Sequence, residues 1–212
     1  MRTSLTVFLC QLLIAASAPA RGDDPGEILS RLQKKYDTVR DASIEFSRTV
    51  QFAALRTEQS SAGKFYMKRG NRYRIEGDEQ TIVTDGTTVW TYTRATGQVM
   101  IDAYREDTRA LTPDNLFVNV PKQYRAALVD DPQEKGTSVD VLKLLPADEH
   151  APVKWMKVWV DTRDWLMHRV QIEDPAENLT TYRLNAIRLN LDLPDSLFRF
   201  TPPAGADVID LR

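Results

Sequence analysis

The strongest constraint on the fold of this chain is a change of hydrophobic period near residue 42. Beyond it, apolar and polar side chains alternate along short segments that turn-forming residues separate. The alternation is clearest from Gly63 to Tyr92, where Gly70-Asn71 and Asp85-Gly86 divide the segment. Asp-Gly between alternating segments is the strongest short-range hairpin signal. Because nearly every connection is hairpin length, the pattern predicts an antiparallel sheet.

The alternating segments predict about ten or eleven strands in one domain of the mainly β class, with some helix. We expect a hairpin loop at 55–61 and a closing strand from Phe198 to Thr201. A single sheet of that size should curl into a barrel or half-barrel rather than stay flat.

Helical spacing is confined to two places. Asp24-Pro25 is a typical helix start, and the apolar stripe that follows predicts one amphipathic helix. The stripe comprises Ile28, Leu29, Leu32, Tyr36 and Val39. A second, short helix can begin at Thr112 and carry Leu116 and Phe117. The first helix is too short to be stable alone in water, so it must lie on an apolar surface.

The first 20 residues have the features of a secretory signal peptide. Arg2 supplies the positive charge, 5–15 the apolar region and Ala18-Pro19-Ala20 the cleavage site. We therefore expect export, with residues 21–212 as the mature domain. Cys10 lies in the leader, so the mature chain would have no disulfide, no thiolate metal site and no cysteine nucleophile.

The sequence offers little support for catalysis, metal binding or nucleic-acid binding. A net charge of -2 and a pI near 5.8 are not typical of a nucleic-acid-binding domain. His150 and His168 belong to no zinc motif, and no nucleophile-elbow or phosphate-loop sequence is present. We expect no catalytic site, metal or cofactor. The basic cluster Lys68, Arg72 and Arg74 is interpreted as a solvated outer face rather than a phosphate or RNA site.

Arg69 is different because it is in phase with the apolar residues Phe65 and Met67. An arginine on an apolar face must find partners, since an unpaired buried charge is costly. Two interpretations remain open: a structural arginine that caps carbonyls or pairs with a carboxylate, or one that closes a cavity by bonding to a mobile segment.

The predicted sheet is rich in tryptophan, methionine and aliphatic residues, whereas only two helical segments are available to cover it. That imbalance favours an apolar cavity with a lid, the usual small-molecule or lipid site of a β-barrel mouth. A solid core without a cavity is the alternative, and composition does not separate the two.

Four motifs in order resemble the LolA family of periplasmic lipoprotein carriers and, more loosely, LolB and the amino-terminal domain of RseB. They are GKFYMKR at 63–69, RYRI at 72–75, VTDGTTVWTY at 83–92 and FRFTPPAG at 198–205. Gly70 stands where the family has proline, Ile75 replaces a tryptophan, and 103–136 matches poorly.

The resemblance implies an unclosed half-barrel of about eleven strands, covered by an amino-terminal helix and a short helical lid, around a cavity for acyl chains. It implies that Arg69 bonds to the lid, to which Leu116 and Phe117 belong, and holds the empty form closed. The implied lipid-binding residues are Phe65, Met67, Tyr73, Ile75, Trp90, Tyr92, Met156, Val158 and Val160. Trp155 and Trp159 would then lie outside.

The function implied is that of a monomeric periplasmic carrier of acylated lipoproteins or lipids, without catalysis. Lipoprotein would come from an ATP-driven extractor (ABC type) of the inner membrane and pass to an outer-membrane acceptor. Two alternatives stay open: a lipid-binding or lipoprotein-sensing module resembling RseB, without a transfer role, and a hydrolase of envelope lipids.

Overall fold

The structure of the chain is a computed structural model that describes residues 24–105, 124–148 and 150–212. The predicted signal peptide and the predicted lid residues Leu116 and Phe117 lie outside these ranges. In the described ranges, no helix is long and apolar enough to cross a membrane.

One α-helix, α1 (Pro25–Tyr36), precedes the sheet, as predicted. The Asp24 carboxylate caps it by accepting a hydrogen bond from the backbone N–H of Gly26 at 3.2 Å. Glu27 lies in the first turn and Lys34 and Lys35 in the last, which matches the helix dipole. The residues buried along its apolar stripe are Ile28, Leu32 and Tyr36.

The described residues form a single sheet of twelve strands, so the predicted unclosed antiparallel sheet is confirmed, with one strand more than expected and one parallel pair at its edge. In chain order the strands are β1 (Asp41–Phe52), β2 (Thr57–Lys68), β3 (Arg72–Gly77), β4 (Gln80–Asp85), β5 (Thr88–Thr93), β6 (Gln98–Ala103), β7 (Tyr124–Leu128), β8 (Val139–Pro146), β9 (Trp155–Asp161), β10 (Leu166–Glu173), β11 (Leu179–Leu189) and β12 (Asp207–Asp210). Their order across the sheet is β12-β6-β5-β4-β3-β2-β1-β11-β10-β9-β8-β7. The two edges, β12 and β7, do not pair with each other, so the sheet stays open.

Two local predictions were wrong. The hairpin loop expected at 55–61 is shorter, because β2 already begins at Thr57 and pairs with Phe52. The closing strand expected from Phe198 to Thr201 does not form there: Asp195–Phe198 is a 3-10 turn. The last strand is β12 instead, and it pairs with β6 in parallel.

The two faces of the sheet are covered differently. We call the face on which α1 packs the helix face; its buried cluster contains Ile28, Leu32 and Tyr36 together with Phe65 and Val158. The opposite, outer face is crossed by residues 190–206, which lead from β11 to β12 at the β6 edge. Both faces of the sheet are therefore covered: the helix face by α1, and the outer face by the carboxyl-terminal segment.

The basic cluster Lys68, Arg72 and Arg74 holds this carboxyl-terminal segment, so the prediction of a merely solvated face was wrong. Lys68 Nζ donates to the Leu193 carbonyl at 2.7 Å and to Asp195 Oδ1 at 2.5 Å. Arg72 Nη1 lies 2.9 Å from the same carboxylate oxygen. All three side chains are largely covered, with 21–27% of each exposed.

Asp41 anchors the start of the same segment and was not recognised in the sequence. Only 1% of the residue is exposed, and its carboxylate accepts the backbone N–H groups of Leu191 and Asp192 at 2.7 and 3.1 Å. The backbone N–H of Asn190 donates to the Asp41 carbonyl at 2.8 Å. A carboxylate is therefore needed where the chain leaves β11 and turns onto the outer face.

Acid is expected to loosen the carboxyl-terminal segment. The hydrogen bond from Lys68, together with the charge of Arg72, lowers the pKa of Asp195. A carboxylate whose pKa is lower in the folded than in the unfolded chain stabilises the fold at any pH above its unfolded pKa of about 3.9. This stabilisation is lost as the pH falls through the pKa of the folded state. Hydrogen exchange of 193–212 should therefore accelerate below about pH 4, after correction for intrinsic rates. Asp195→Asn should remove most of that pH dependence, and equal dependence in both proteins would contradict this contact.

Gly86 is expected to tolerate alanine poorly, since it has φ +95 and a Cβ there would lie 2.4 Å from the Gly70 carbonyl oxygen. Gly97 is a matched control, with φ +66 and nothing within 4 Å of the added atom. Backbone strain alone should make Gly97→Ala lower the free energy of unfolding by about 1 kcal/mol. In Gly86→Ala the clash adds to the strain, so the loss should be about 3 kcal/mol. Urea unfolding of the two variants measures the difference, and equal costs would mean that the turns can relax.

Candidate functional site

The sheet register brings seven of the predicted lipid-binding residues onto the helix face. Phe65 pairs with Ile75, and Met67 with Tyr73, across β2 and β3. Directly paired residues of an antiparallel ladder point to the same face. From the other half of the sheet, β9 contributes Met156, Val158 and Val160 to the same buried cluster.

Trp90 and Tyr92 do not join this group, which corrects the predicted set. Ile75 pairs with Ile82, and Ile82 pairs with Thr91. Thr91 of β5 therefore lies on the helix face, while its neighbours Trp90 and Tyr92 point to the outer face. There the ring of Tyr92 lies 5.9 Å from that of Phe200, a residue of the carboxyl-terminal segment.

Trp155 and Trp159 lie on the outer face, where they were predicted. Trp159 pairs with Arg169, and the guanidinium of that arginine lies 4.6 Å from the centre of the indole ring. The indole N–H of Trp159 donates to Asp131 Oδ2 at 2.8 Å. This hydrogen bond contributes to the lowered pKa of Asp131, second to the backbone N–H of Gln133.

The helix face is not equally buried along its length. The deepest part of this face shares a buried cluster with α1 and contains side chains that are 0% exposed: Phe65, Leu142 and Val160. A fringe of half-buried residues packs against this core and continues the apolar surface over β1, β3, β4 and β11. The members of this fringe are Phe46, Ile75, Ile82, Tyr182, Ile187 and Leu189. The fringe is therefore the accessible border of a core that shares its buried cluster with α1.

Arg69 ties the end of α1 to the sheet. Its Nε donates to the Val39 carbonyl at 2.8 Å, and its Nη2 donates to the Asp37 carbonyl. The residue follows the last residue of β2, Lys68, and is exposed rather than enclosed on the apolar face. Of the two interpretations of the sequence, these contacts are those of an arginine that caps carbonyls. The lid to which Arg69 was predicted to bond lies outside the described residues.

Arg69→Leu is expected to loosen the end of α1 rather than unfold the chain. The variant loses two hydrogen bonds from a charged but exposed donor, which should cost about 1–2 kcal/mol. Hydrogen exchange of 37–40 should accelerate more than that of the central strands. Arg40→Leu is the matched control, because Arg40 makes an exposed ion pair with Asp192 at 3.2 Å, a type of pair worth about 0–1 kcal/mol. Equal exchange at 37–40 in both variants would argue against this tie.

A polar cleft of about 530 Å³ lies on the outer face, between the loop that contains Asp131 and the strands β1 and β9–β11. It is lined mainly by charged and amide side chains, among them Lys157, Arg169, Gln171 and Arg183. Acyl chains gain nothing from such a surface. The cleft is thus separate from the apolar helix face, and sequence reasoning missed it because its residues come from distant strands.

Most of the chain matches the sequence model of a known protein family. A family model described as "Outer membrane lipoprotein carrier protein LolA" matches residues 37–201. An outer-membrane lipoprotein carrier protein of Haemophilus ducreyi is 29% identical over 215 residues, covering 100% of this chain and 95% of that protein. An uncharacterized protein of Methanocaldococcus jannaschii is 23% identical over 186 residues, or 86% of this chain; the chain spans about half of that relative, 53% of its length.

Among solved structures, an uncharacterized conserved protein from Thermus thermophilus has a similar fold. Its TM-score is 0.55 at 15% sequence identity, covering 87% of this chain and 98% of that one. At this identity the likeness concerns the fold alone.

Proposed function

We propose that this chain, which belongs to the LolA family of outer membrane lipoprotein carrier proteins, binds the acyl chains of lipoproteins against the helix face of its sheet and carries them without chemical change. The proposed lining comprises Phe65, Met67, Tyr73, Ile75, Met156, Val158 and Val160. Trp90 and Tyr92 are no longer included, because they point to the outer face.

One observation supports the proposal most directly: the half-buried fringe continues the buried apolar cluster of the helix face. Burial contributes about 0.8 kcal/mol for each methylene group, so a long acyl chain gains much from such a surface. A fully closed core would offer no entry, and a fully exposed one would favour aggregation. A covered apolar face with an accessible fringe suits reversible binding.

Release then requires the cover to move. The innermost lining residues, such as Phe65 and Val158, are buried in the same cluster as Ile28 and Leu32 of α1. Acyl chains would therefore bind more tightly to a form in which α1 is displaced, and a partner that favours the closed form would promote release. The contacts of Arg69 with Asp37 and Val39 are the tie that such a movement would break.

The proposed carrier acts in the periplasm, where residues 1–20 would direct it as a cleaved signal peptide. It would receive lipoprotein from an ATP-driven extractor of the inner membrane and deliver it to an acceptor at the outer membrane. We propose that it acts as a monomer, with no cofactor and no catalytic step.

A vesicle assay tests the function. The exported protein is mixed with phospholipid vesicles that hold a fluorescent triacylated peptide and the ATP-driven extractor, ATP is added, and the vesicles are then sedimented. The proposal expects the peptide in the supernatant as a 1:1 complex with the protein, and its return to a second vesicle population that displays an acceptor. The same peptide without acyl chains is the control. A triacylated peptide that stays wholly in the sediment would contradict the proposal.

A further inference from the structure

Three potential metal ligands meet where β9 turns into β10, directly after the proposed lining residue Val160. They are Asp161, Asp164 and His168, and one ligand atom from each lies within 4.8 Å of the other two. Two carboxylates and an imidazole are a donor set that first-row divalent metals bind. The hydrogen bonds of these side chains show which atom each has available.

Asp161 is 5% exposed, and one of its oxygens is engaged in the turn. Oδ1 accepts from the Ser138 hydroxyl at 3.0 Å and from the backbone N–H of Arg163 at 2.9 Å. Among the described residues, Oδ2 accepts hydrogen bonds only from Nε and Nη2 of Arg163, and that Nε also donates to Oδ1 at 3.0 Å. Such outer hydrogen bonds are what orients a ligating carboxylate.

The two carboxylate oxygens of Asp164 also have different partners. Its Oδ1 accepts the backbone N–H of Leu166 at 2.9 Å, which fixes the carboxylate. Its Oδ2 faces Nε2 of His168 at 3.6 Å, too far for a hydrogen bond. A cation between these two atoms would bring both within ligand distance.

His168 is the third member of the group. Its Nε2 is buried and has no hydrogen-bond partner among the described residues, although 41% of the side chain is exposed. The pairing of β9 with β10 shifts between Met167 and Arg169, so His168 is the unpaired residue of a bulge. Bulges re-aim side chains, and a buried polar atom without a partner requires an explanation.

The guanidinium of Arg163 already occupies a cation position in this group. It binds the Asp161 carboxylate through Nε and Nη2 and lowers the pKa of that carboxyl. The arginine side chain is 77% exposed, so it can swing into solvent without uncovering an apolar surface. A metal ion would replace one cation by another while Ser138 keeps the carboxylate in place.

We propose that Asp161 Oδ2, Asp164 Oδ2 and His168 Nε2 form a site for a divalent transition metal such as Zn²⁺, which the guanidinium of Arg163 otherwise closes. Three protein ligands leave a coordination position for water or for a group from a partner. Mg²⁺ and Ca²⁺ prefer oxygen ligands, so they should bind this site poorly.

Calorimetric titration of the untagged, chelator-treated mature chain with Zn²⁺ tests the site. We expect one equivalent to bind, at least ten-fold more weakly in His168→Gln and at least three-fold more tightly in Arg163→Gln. His150→Gln is the matched control, since it removes the other histidine of the chain from a turn outside the cluster, and it should bind as the wild type does.

Either of two results would overturn the proposal: no saturable Zn²⁺ binding by wild type and Arg163→Gln, or binding that His168→Gln leaves unchanged. A second readout is the NMR signal of the His168 ring, which should shift on addition of Zn²⁺ and not of Mg²⁺. If Arg163→Gln does not fold, the wild-type titration and the His168→Gln comparison decide the question.

Discussion

Phe65→Ala is expected to lower the free energy of unfolding by about 3–5 kcal/mol, the usual cost of removing a buried aromatic side chain. Phe65 is 0% exposed, and it pairs with Ile44 on one side and with Ile75 on the other. Its ring lies 6.4 Å from that of Tyr73. The cavity would therefore open at the centre of the helix face, where fixed strands on both sides limit collapse.

Denaturant unfolding followed by tryptophan fluorescence measures this effect. Tyr66→Ala is the control, because Tyr66 is the next residue of β2 and points half-buried to the outer face. Tyr66→Ala should lower the free energy of unfolding by less than half as much as Phe65→Ala. A loss below about 1 kcal/mol for Phe65→Ala would mean that the centre of the helix face is not a packed core.

Ile75→Asp is expected to weaken the binding of a triacylated peptide at least ten-fold, which corresponds to about 1.4 kcal/mol or more. Ile75 belongs to the half-buried fringe, so a new carboxylate there would have to be desolvated by the incoming acyl chain. Fluorescence titration with the labelled peptide measures the affinity, and circular dichroism verifies that the variant is folded.

Trp90→Asp is the matched control for this substitution. It places the same new charge at a half-buried position, but on the outer face of β5. The control should bind the peptide within two-fold of the wild type. Loss of binding in Trp90→Asp, with normal binding in Ile75→Asp, would place the acyl chains on the outer face and contradict the proposed lining.

Local patterns predicted the elements of this fold well where a turn or a helix cap determines the structure. Asp24-Pro25 begins α1, and Asp85-Gly86 begins the turn that separates β4 from β5. The early start of β2 was missed because its first residues, Thr57 to Ser60, are exposed and polar. A hairpin that extends beyond the core has no apolar alternation to reveal it.

The orientation of β5 was missed for a different reason. The resemblance placed Trp90 and Tyr92 on the helix face, but the outer face also has a cover, and that cover comes from Phe198 and Phe200 at the far end of the chain. No local pattern near Trp90 or Tyr92 contains this information. The same long-range contact explains why Lys68 and Arg72 are not simply solvated.

Arg69 illustrates the limit of arguments from strand phase. Its position two residues after Met67 predicted an inward arginine, yet β2 ends at Lys68 and the side chain turns to the carbonyls of Asp37 and Val39. Phase constrains a side chain only while the strand continues. A residue just beyond the strand is free to cap a neighbouring helix end.

The most direct test of the proposed acyl-binding face is photocrosslinking with a triacylated peptide that carries a diazirine on one acyl chain. After irradiation, proteolysis and mass spectrometry locate the labelled residues. Our account predicts labels on the helix face, at Phe46, Ile75, Ile82 or Tyr182, which an excess of unlabelled peptide prevents. Labels confined to the polar outer cleft near Lys157 and Arg183, or scattered labels that competitor does not reduce, would contradict it.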